Sequence, residues 1–156
     1  MSLTNCKEGP NNNYIDNAIA IVYQDEKPYL INAEKDLYPL DYYDEIVEIF
    51  NDYIAVKYEN KYGFIDRTGK LIIETVYDKV YPMYEEKAVV IKDGIYQIID
   101  NTGKTLYTFT DNVYSESYFS NNLLVIRKND KFGYLKYNAE TSSFENSEII
   151  YDYAKV

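Results

Sequence analysis

The chain repeats its own sequence with a period of 34 residues, and this feature constrains its fold more than any other. Ile31, Ile65 and Ile99 lie 34 positions apart, as do Val22 and Val56. A period of this length indicates a stack of supersecondary units, none of which can bury its apolar face alone. We therefore expect one repeat domain over residues 1–156, with an N-terminal arm at 1–16 and approximate repeats at 17–50, 51–84, 85–118 and 119–156.

Each repeat has the pattern of short strands joined by turns. Apolar residues alternate with polar ones, and glycine or Asn/Asp turns interrupt the chain at short intervals, which is typical of antiparallel hairpins. Glu59-Asn60 and Asp93-Gly94 predict two-residue turns, and Asp66 to Gly69 predicts a type I turn ending in a glycine bulge. The expected fold class is all-β: an antiparallel array of hairpin and meander repeats, with an open twisted array favoured over a closed propeller-like ring.

Some repeats depart from the pattern. The first has no glycine in its second turn, Asn32 to Lys35, so we expect a looser turn there. The fourth is about two residues longer, and its sequence predicts a polar loop from Asn138 to Asn146. Since residues common to all repeats are framework by default, we expect function where the repeat fails, including Gln97, which replaces a glycine.

The repeat resembles a known family. Residues 61–70 read Lys-Tyr-Gly-Phe-Ile-Asp-Arg-Thr-Gly-Lys, which is similar to the WG (KWG) repeat with tyrosine in place of tryptophan. Residues 131–133 fit with phenylalanine, whereas residues 95–97 keep the aromatic residue and lose the glycine. The resemblance covers most of residues 18–156, and it implies a bacterial β-repeat scaffold or interaction protein with no established catalytic role.

Composition argues against several classes of partner and cofactor. The net charge of −10, from 16 basic and 26 acidic residues, disfavours binding to nucleic acid or an anionic membrane surface. With one cysteine and no histidine, the chain lacks the usual ligands of zinc and iron–sulfur sites. The longest uncharged apolar run, Ala18 to Tyr23, is too short to span a bilayer. We expect no metal, no cofactor, no nucleic-acid partner and no integral membrane contact.

The N-terminal sequence leaves two compartments open. A chain without a disulfide fits the cytoplasm, which is the location we expect. Leu3 to Cys6, however, has the outline of a lipobox, and Met1 to Leu3 is compatible with a remnant of cloning. The alternative is therefore an exported or lipid-anchored protein whose native leader was removed before Cys6.

Several recurrent residues suggest chemistry but have a simpler structural interpretation. Asp66 and Asp100 stand at the first position of equivalent turns, where an aspartate accepts bonds from its own turn amides. Gly103-Lys104-Thr105 resembles the end of a phosphate-binding loop, but the glycine that this loop needs is replaced by Ile98. A catalytic centre is normally built once, from unlike residues. We therefore expect no enzyme activity.

Tyrosine is the unusual component, with 20 residues of 156 and no tryptophan. The simpler interpretation is that these rings occupy half-buried sheet positions with the hydroxyl outward. The alternative is an aromatic binding face, for which the aromatic residues in the links are the candidates, because links and turns lie outside the packed sheet. The candidate interaction residues are Tyr81, Tyr84, Tyr114 and Tyr118. The expected function is that of a protein or peptide interaction module. The alternative is carbohydrate or cell-envelope binding through exposed tyrosines.

Overall fold

The computed structural model describes residues 18–50 and 52–152, which are all-β. The predicted N-terminal arm, with Met1 to Cys6, lies outside the described residues. None of the described residues forms a helix, so none provides a helix that is long and apolar enough to cross a membrane. The chain divides into two compact units, one that ends at Asp41 and one that begins at Tyr42.

The first compact unit contains one antiparallel sheet of three strands in the order β1-β2-β3. These strands are β1 (Ile19–Gln24), β2 (Lys27–Asn32) and β3 (Leu37–Pro39). Asp25 and Glu26 adopt positive φ between β1 and β2, as a two-residue hairpin turn requires. Leu30 and Leu40 are fully buried.

The second compact unit contains three antiparallel sheets, and in each of them consecutive strands pair as a meander. The second sheet consists of β4 (Glu45–Phe50), β5 (Tyr53–Tyr58), β6 (Lys61–Ile65) and β7 (Leu71–Tyr77). The third consists of β8 (Lys79–Val80), β9 (Lys87–Lys92), β10 (Ile95–Asp100) and β11 (Thr105–Thr108). The fourth consists of β12 (Leu123–Lys128), β13 (Lys131–Asn138) and β14 (Ser143–Asn146). The predicted antiparallel β-repeat array is thus confirmed.

The predicted turns have the predicted geometry. Glu59 and Asn60 both adopt positive φ, as do Asp93 and Gly94. In the longer turn, Gly69 N–H donates to Asp66 O at 3.0 Å, and Gly69 has a φ of 79°. Asp100 and Gly103 repeat this turn one period later with the same 3.0 Å bond. The recurrent aspartates are therefore turn residues.

The aromatic–glycine step coincides with a bulge in the neighbouring strand. Tyr62 pairs with Tyr77 and Phe64 pairs with Ile73, so three residues of β7, 74–76, lie opposite Gly63 alone. A Cβ atom built on Gly63 would lie 2.4 Å from Ile73 O. The bulged backbone therefore occupies the space that any side chain at this position would need.

The fourth sheet repeats this arrangement around Gly133. Phe132 pairs with Tyr151, and Ser147 N–H donates to Tyr134 O, which again leaves three residues, 148–150, opposite the glycine. A Cβ on Gly133 would lie 2.8 Å from Glu148 O. The third sheet has Gln97 here and pairs it directly with Thr108, without the bulge.

The recurrent Tyr-Asp step joins successive repeats. Asp78 N–H donates to Ile91 O, and Asp78 Oδ2 accepts from Gly94 N–H at 3.3 Å. Asp78 Oδ1 also accepts from Lys61 Nζ in the preceding sheet. Lys131 and Asp152 form the same ion pair in the fourth sheet. The buried Tyr77 contributes its ring to the core, with its hydroxyl 3.5 Å from Gly103 O.

The core of the second compact unit consists of two clusters of apolar side chains. The first lies between the second and third sheets and includes Phe64, Tyr77, Met83 and Val90. The second lies between the third and fourth sheets and includes Ile98, Phe119 and Leu135. The third sheet therefore buries both of its faces, one against each neighbouring sheet, as expected of units that cannot fold alone.

Two local predictions are corrected by the structure. The polar loop expected from Asn138 to Asn146 is a short hairpin turn at 139–142, because residues 143–146 form β14. Phe144 explains the difference, since its ring lies 5.2 Å from that of Tyr107 and 5.0 Å from that of Tyr137. The turn at Asn32 keeps its hydrogen bond to Lys35 N–H, and Lys35 takes the left-handed conformation with a φ of 69°. That turn is therefore not looser.

Candidate functional site

The four tyrosines predicted as interaction residues divide into two pairs. Tyr84 and Tyr118 have ring centroids 5.8 Å apart. Tyr81 and Tyr114 lie in another group, where the ring of Tyr96 contacts that of Tyr114 at 5.5 Å. The structure thus brings the predicted residues together in twos rather than on one continuous face.

The first pair forms a cluster with Phe50 from β4. Phe50 lies 5.6 Å from Tyr84 and 5.8 Å from Tyr118, measured between ring centroids. Aromatic contacts of this kind stabilise a cluster by more than the burial of its apolar surface alone. Tyr118 keeps 40% of its surface exposed, whereas Phe50 and Tyr84 are half-buried. The cluster connects β4 with two links of the array, which is a structural role.

The second group is more polar, and we call Tyr81, Tyr96 and Tyr114 the tyrosine surface. The Tyr81 hydroxyl lies 3.4 Å from Glu116 Oε1. Lys79 Nζ lies 4.6 Å from the centroid of the Tyr81 ring, within the range of a cation–π contact. Three half-buried rings therefore share their surroundings with one acidic and one basic side chain.

The charges around the tyrosine surface are coupled. Burial raises the pKa of Tyr96 above its usual value, and the nearby Tyr81 and Glu116 raise it further. The hydrogen bond to Tyr81 raises the pKa of Lys79, and the charge of Glu116 adds to this effect. At neutral pH the Tyr96 phenol is thus protonated and offers a hydroxyl donor, while Lys79 carries its positive charge.

Arg127 continues the tyrosine surface toward the fourth sheet. Its guanidinium carbon lies 6.0 Å from the ring centroid of Tyr114 and 5.5 Å from that of Phe132. The Arg127 guanidinium also forms an ion pair with Asp130. A shallow cavity of about 150 Å³ lies here, lined in part by Tyr114, Glu116 and Phe132.

A larger cleft of about 560 Å³ opens on the other side of Tyr114, and we call it the third-sheet cleft. One wall is Gly94 to Tyr96, at the start of β10, and the other is Phe109 to Tyr114. Its apolar lining is Ile95, Tyr96, Phe109, Val113 and Tyr114. Its polar lining includes Thr110, Asp111 and Asn112. Tyr96 and Tyr114 belong to both the cleft and the tyrosine surface.

A volume of this size is typical of sites for small molecules or a few residues of peptide. The side chains around it supply aromatic faces, hydroxyl groups, an amide and a carboxylate. These groups suit recognition by stacking and hydrogen bonding. Among the described residues, no group of three or more Cys, Asp or Glu side chains is placed to hold a metal ion. The Glu85 carboxylate accepts from Asn121 N–H and Asn122 N–H at 2.7 and 2.8 Å.

Sequence reasoning missed Phe50, Tyr96 and Ile95. Tyr96 aligns with Tyr62 in the repeat, a position that is framework by default, yet its ring is part of the tyrosine surface. Ile95 carries a signal that could have identified it, because the aligned residues Lys61 and Lys131 are both lysines. An exposed isoleucine at a position where the aligned repeats carry a lysine indicates that this part of the third sheet differs from the repeat.

Comparisons with known proteins agree with the repeat pattern. Residues 62–96 match the family model described as "WG containing repeat", and the match runs from β6 through β7, β8 and β9 to the start of β10. A search of curated proteins found no match. A search of solved structures found no match either.

Proposed function

The chain belongs to the WG repeat family, and we propose that it is a non-enzymatic interaction module that binds a protein or peptide. The observation that carries this proposal is the tyrosine surface beside the third-sheet cleft. Tyrosine is enriched at protein interfaces because it offers a large rigid ring and a hydroxyl group at low entropic cost. Here two such rings, Tyr96 and Tyr114, line a concave surface, which is the arrangement that a binding module needs.

The electrostatics support a peptide partner. The chain carries a net charge of −10, and the surface around Tyr81 and Tyr96 includes Glu116 and Asp111. The net negative charge favours the approach of a basic or neutral polypeptide, and the Arg127 charge at this surface is paired with Asp130. The framework role of Asp66 and Asp100 leaves these repeated carboxylates engaged in turns, which agrees with a module that has no catalytic centre.

This proposal is tested with a displayed library of linear peptides panned on the immobilised chain. Enriched peptides are synthesised, and their affinities are measured by fluorescence anisotropy. Tyr96→Ala and Tyr114→Ala should each weaken binding about tenfold or more, as truncation of a central aromatic residue does. Tyr134→Ala is the control, because Tyr134 is exposed on the fourth sheet. Failure to enrich any peptide, or unchanged affinity in both variants, would refute the proposal.

The second candidate function is carbohydrate binding. Its support is that Tyr96 and Tyr114 line the same cleft as Asp111 and Asn112, since sugar sites combine aromatic faces with amide and carboxylate groups. The two rings are tilted by 44° to one another, so they do not form one flat platform. A glycan array probed with the labelled chain separates the candidates: saturable binding to an oligosaccharide, lost in Tyr96→Ala, would favour this function over the first.

A further inference from the structure

The third-sheet cleft lies where the repeat loses the features that close the corresponding place in the second and fourth sheets. In the second sheet, Tyr77 pairs with Tyr62, and the next residue, Asp78, binds Lys61. In the fourth sheet, Tyr151 pairs with Phe132, and Asp152 binds Lys131. Each of these sheets therefore covers the start of its central strand with a Tyr-Asp step from its own chain.

The third sheet has Val113-Tyr114 in the place of the Tyr-Asp step. Tyr114 N–H donates to Arg127 O at 3.1 Å, as Asp44 N–H donates to Lys57 O and Asp78 N–H to Ile91 O. Tyr114 is thus the structural equivalent of the aspartate, although it carries no carboxylate. The lysine that would bind that carboxylate is replaced by Ile95, which is 49% exposed.

Two additional residues move the Val113-Tyr114 step away from β10. The ladder of β10 and β11 keeps the register of the second sheet as far as Tyr107, and the register at Tyr114 is two residues longer. The extra length lies at Asp111 and Asn112, which adopt positive φ in a turn closed by Val113 N–H donating to Thr110 O at 2.9 Å. Phe109 N–H still donates to Tyr96 O, and beyond that bond the chain turns away from the sheet.

We infer that the third-sheet cleft, which lies between Tyr96 and the displaced Val113-Tyr114 step, receives an extended peptide segment of a partner protein. This inference rests on the proposed function and specifies its site. The segment lies against the side chains of Ile95 and Tyr96, because the backbone of β10 is already paired there with β9 and with Phe109. Its aromatic or branched apolar side chain lies against Ile95, Phe109 and Val113, since the cleft has an isoleucine where the other sheets have a lysine.

Charge complementarity indicates which charge the other residues of the partner segment should carry. Among the described residues that line the cleft, Asp111 is the one charged side chain. The net charge of the chain is also negative. A basic residue of the segment, next to the apolar one, would therefore gain from Asp111, whereas an acidic residue would be repelled. The partner chemistry is an extended segment in which apolar or aromatic residues alternate with lysine or arginine.

The test uses an acetylated and amidated hexapeptide that alternates lysine and phenylalanine, with a fluorescent label, at physiological ionic strength. Matched peptides alternate glutamate with phenylalanine, or lysine with serine. The first peptide should bind at least about ten times more tightly than the other two, because each of them lacks one of the two contacts. Equal affinity for all three would overturn the inference.

The variant that locates the site is Ile95→Lys, which restores the lysine of the other sheets at an exposed position. It should weaken the lysine–phenylalanine peptide about tenfold or more. The control is Val47→Lys, which adds the same charge at another exposed apolar residue, 42% exposed on β4, and should keep the affinity within about twofold. Circular dichroism checks that both variants fold, and Ile95→Ser with Val47→Ser serves as a second pair if either does not.

The outcomes separate this inference from the proposed function. If library-selected peptides bind and lose affinity in Tyr96→Ala but not in Ile95→Lys or Ile95→Ser, the cleft inference is overturned and the interaction function stands. If cellohexaose binds and Ile95→Lys abolishes its binding while no peptide binds, both are overturned. Loss of peptide binding in Ile95→Lys, with the Val47 control unchanged, supports the inference.

Discussion

Gly63 lies directly beneath the carbonyl group of Ile73, so that a Cβ atom on the glycine would stand 2.4 Å from the carbonyl oxygen. That distance is far below a van der Waals contact, and the atom it joins is backbone, which cannot rotate away. The glycine of the aromatic–glycine step is therefore required by the bulge at 74–76 rather than by its own conformation. The same holds for Gly133 beneath Glu148 O.

The first prediction concerns this close approach. Gly63→Ala should lower the free energy of unfolding by about 1–3 kcal/mol, the usual cost of forcing extra volume into a packed site. Chemical denaturation followed by circular dichroism measures it. The matched control is Gln97→Ala at the equivalent position of the third sheet, where the chain already carries a side chain. A Gly63→Ala variant as stable as Gln97→Ala would contradict this explanation of the step.

The second prediction concerns acid. Burial raises the pKa of Asp66, but hydrogen bonds from the Thr68 hydroxyl, Thr68 N–H and Lys70 N–H outweigh it and lower the pKa below its usual value. The same balance lowers the pKa of Asp100. A hydrogen bond from Lys61 lowers the pKa of Asp78.

These carboxylates are charged in the native state at a pH where the unfolded chain already binds protons. Their stabilisation is therefore present above about pH 4, the unfolded pKa of aspartate, and is lost as the pH falls through the lower native values. The melting temperature should therefore decrease when the pH is lowered below about 4. The double variant Asp66→Asn, Asp100→Asn should start lower at pH 7 and fall less on acidification. Asp25→Asn, at an exposed hairpin turn, controls for the loss of a surface charge. An acid profile that the double variant leaves unchanged would show that these turns do not contribute.

The third prediction concerns the turn of the first compact unit. Lys35 occupies the position of Gly69 and Gly103, and its φ of 69° is a left-handed conformation that costs a side-chain-bearing residue about 1 kcal/mol. Lys35→Gly should therefore raise the stability of this unit by about that amount, less the entropy that glycine adds to the unfolded chain. Lys35→Ala is the control and should not stabilise. Amide hydrogen exchange of β2 and β3 reports on this unit directly, and slower exchange in Lys35→Ala than in Lys35→Gly would contradict the prediction.

The turns could be predicted from the sequence because their geometry depends on residues that are close along the chain. Asp66 bonds to Thr68 and Lys70, and Glu59-Asn60 forms its hairpin turn, through local contacts alone. The period then extends each local result to the next repeat. The strand content and the antiparallel array follow from these turns together with the alternation of apolar residues.

The features that depend on distant contacts could not be predicted in the same way. Phe144 belongs to a strand because Tyr107 and Tyr137 pack on it, and the polar residues around it predicted a loop. The four predicted tyrosines fall into two groups, because Phe50 packs on Tyr84 whereas Tyr96 packs on Tyr114. The 34-residue period does not indicate that Phe50 and Tyr96 make these contacts. The third-sheet cleft was indicated only indirectly, through the substitution Gln97 and the longer fourth repeat.

The central claim is that the chain binds a peptide where its third sheet departs from the repeat. The most direct test repairs that departure by deleting Asp111 and Asn112 and introducing Ile95→Lys and Gln97→Gly, followed by an anisotropy titration with the lysine–phenylalanine peptide. We predict a folded variant whose melting temperature is at least that of the parent chain and whose affinity for the peptide is lower by about tenfold or more. A repaired variant that folds and binds the peptide as tightly as the parent would contradict the claim.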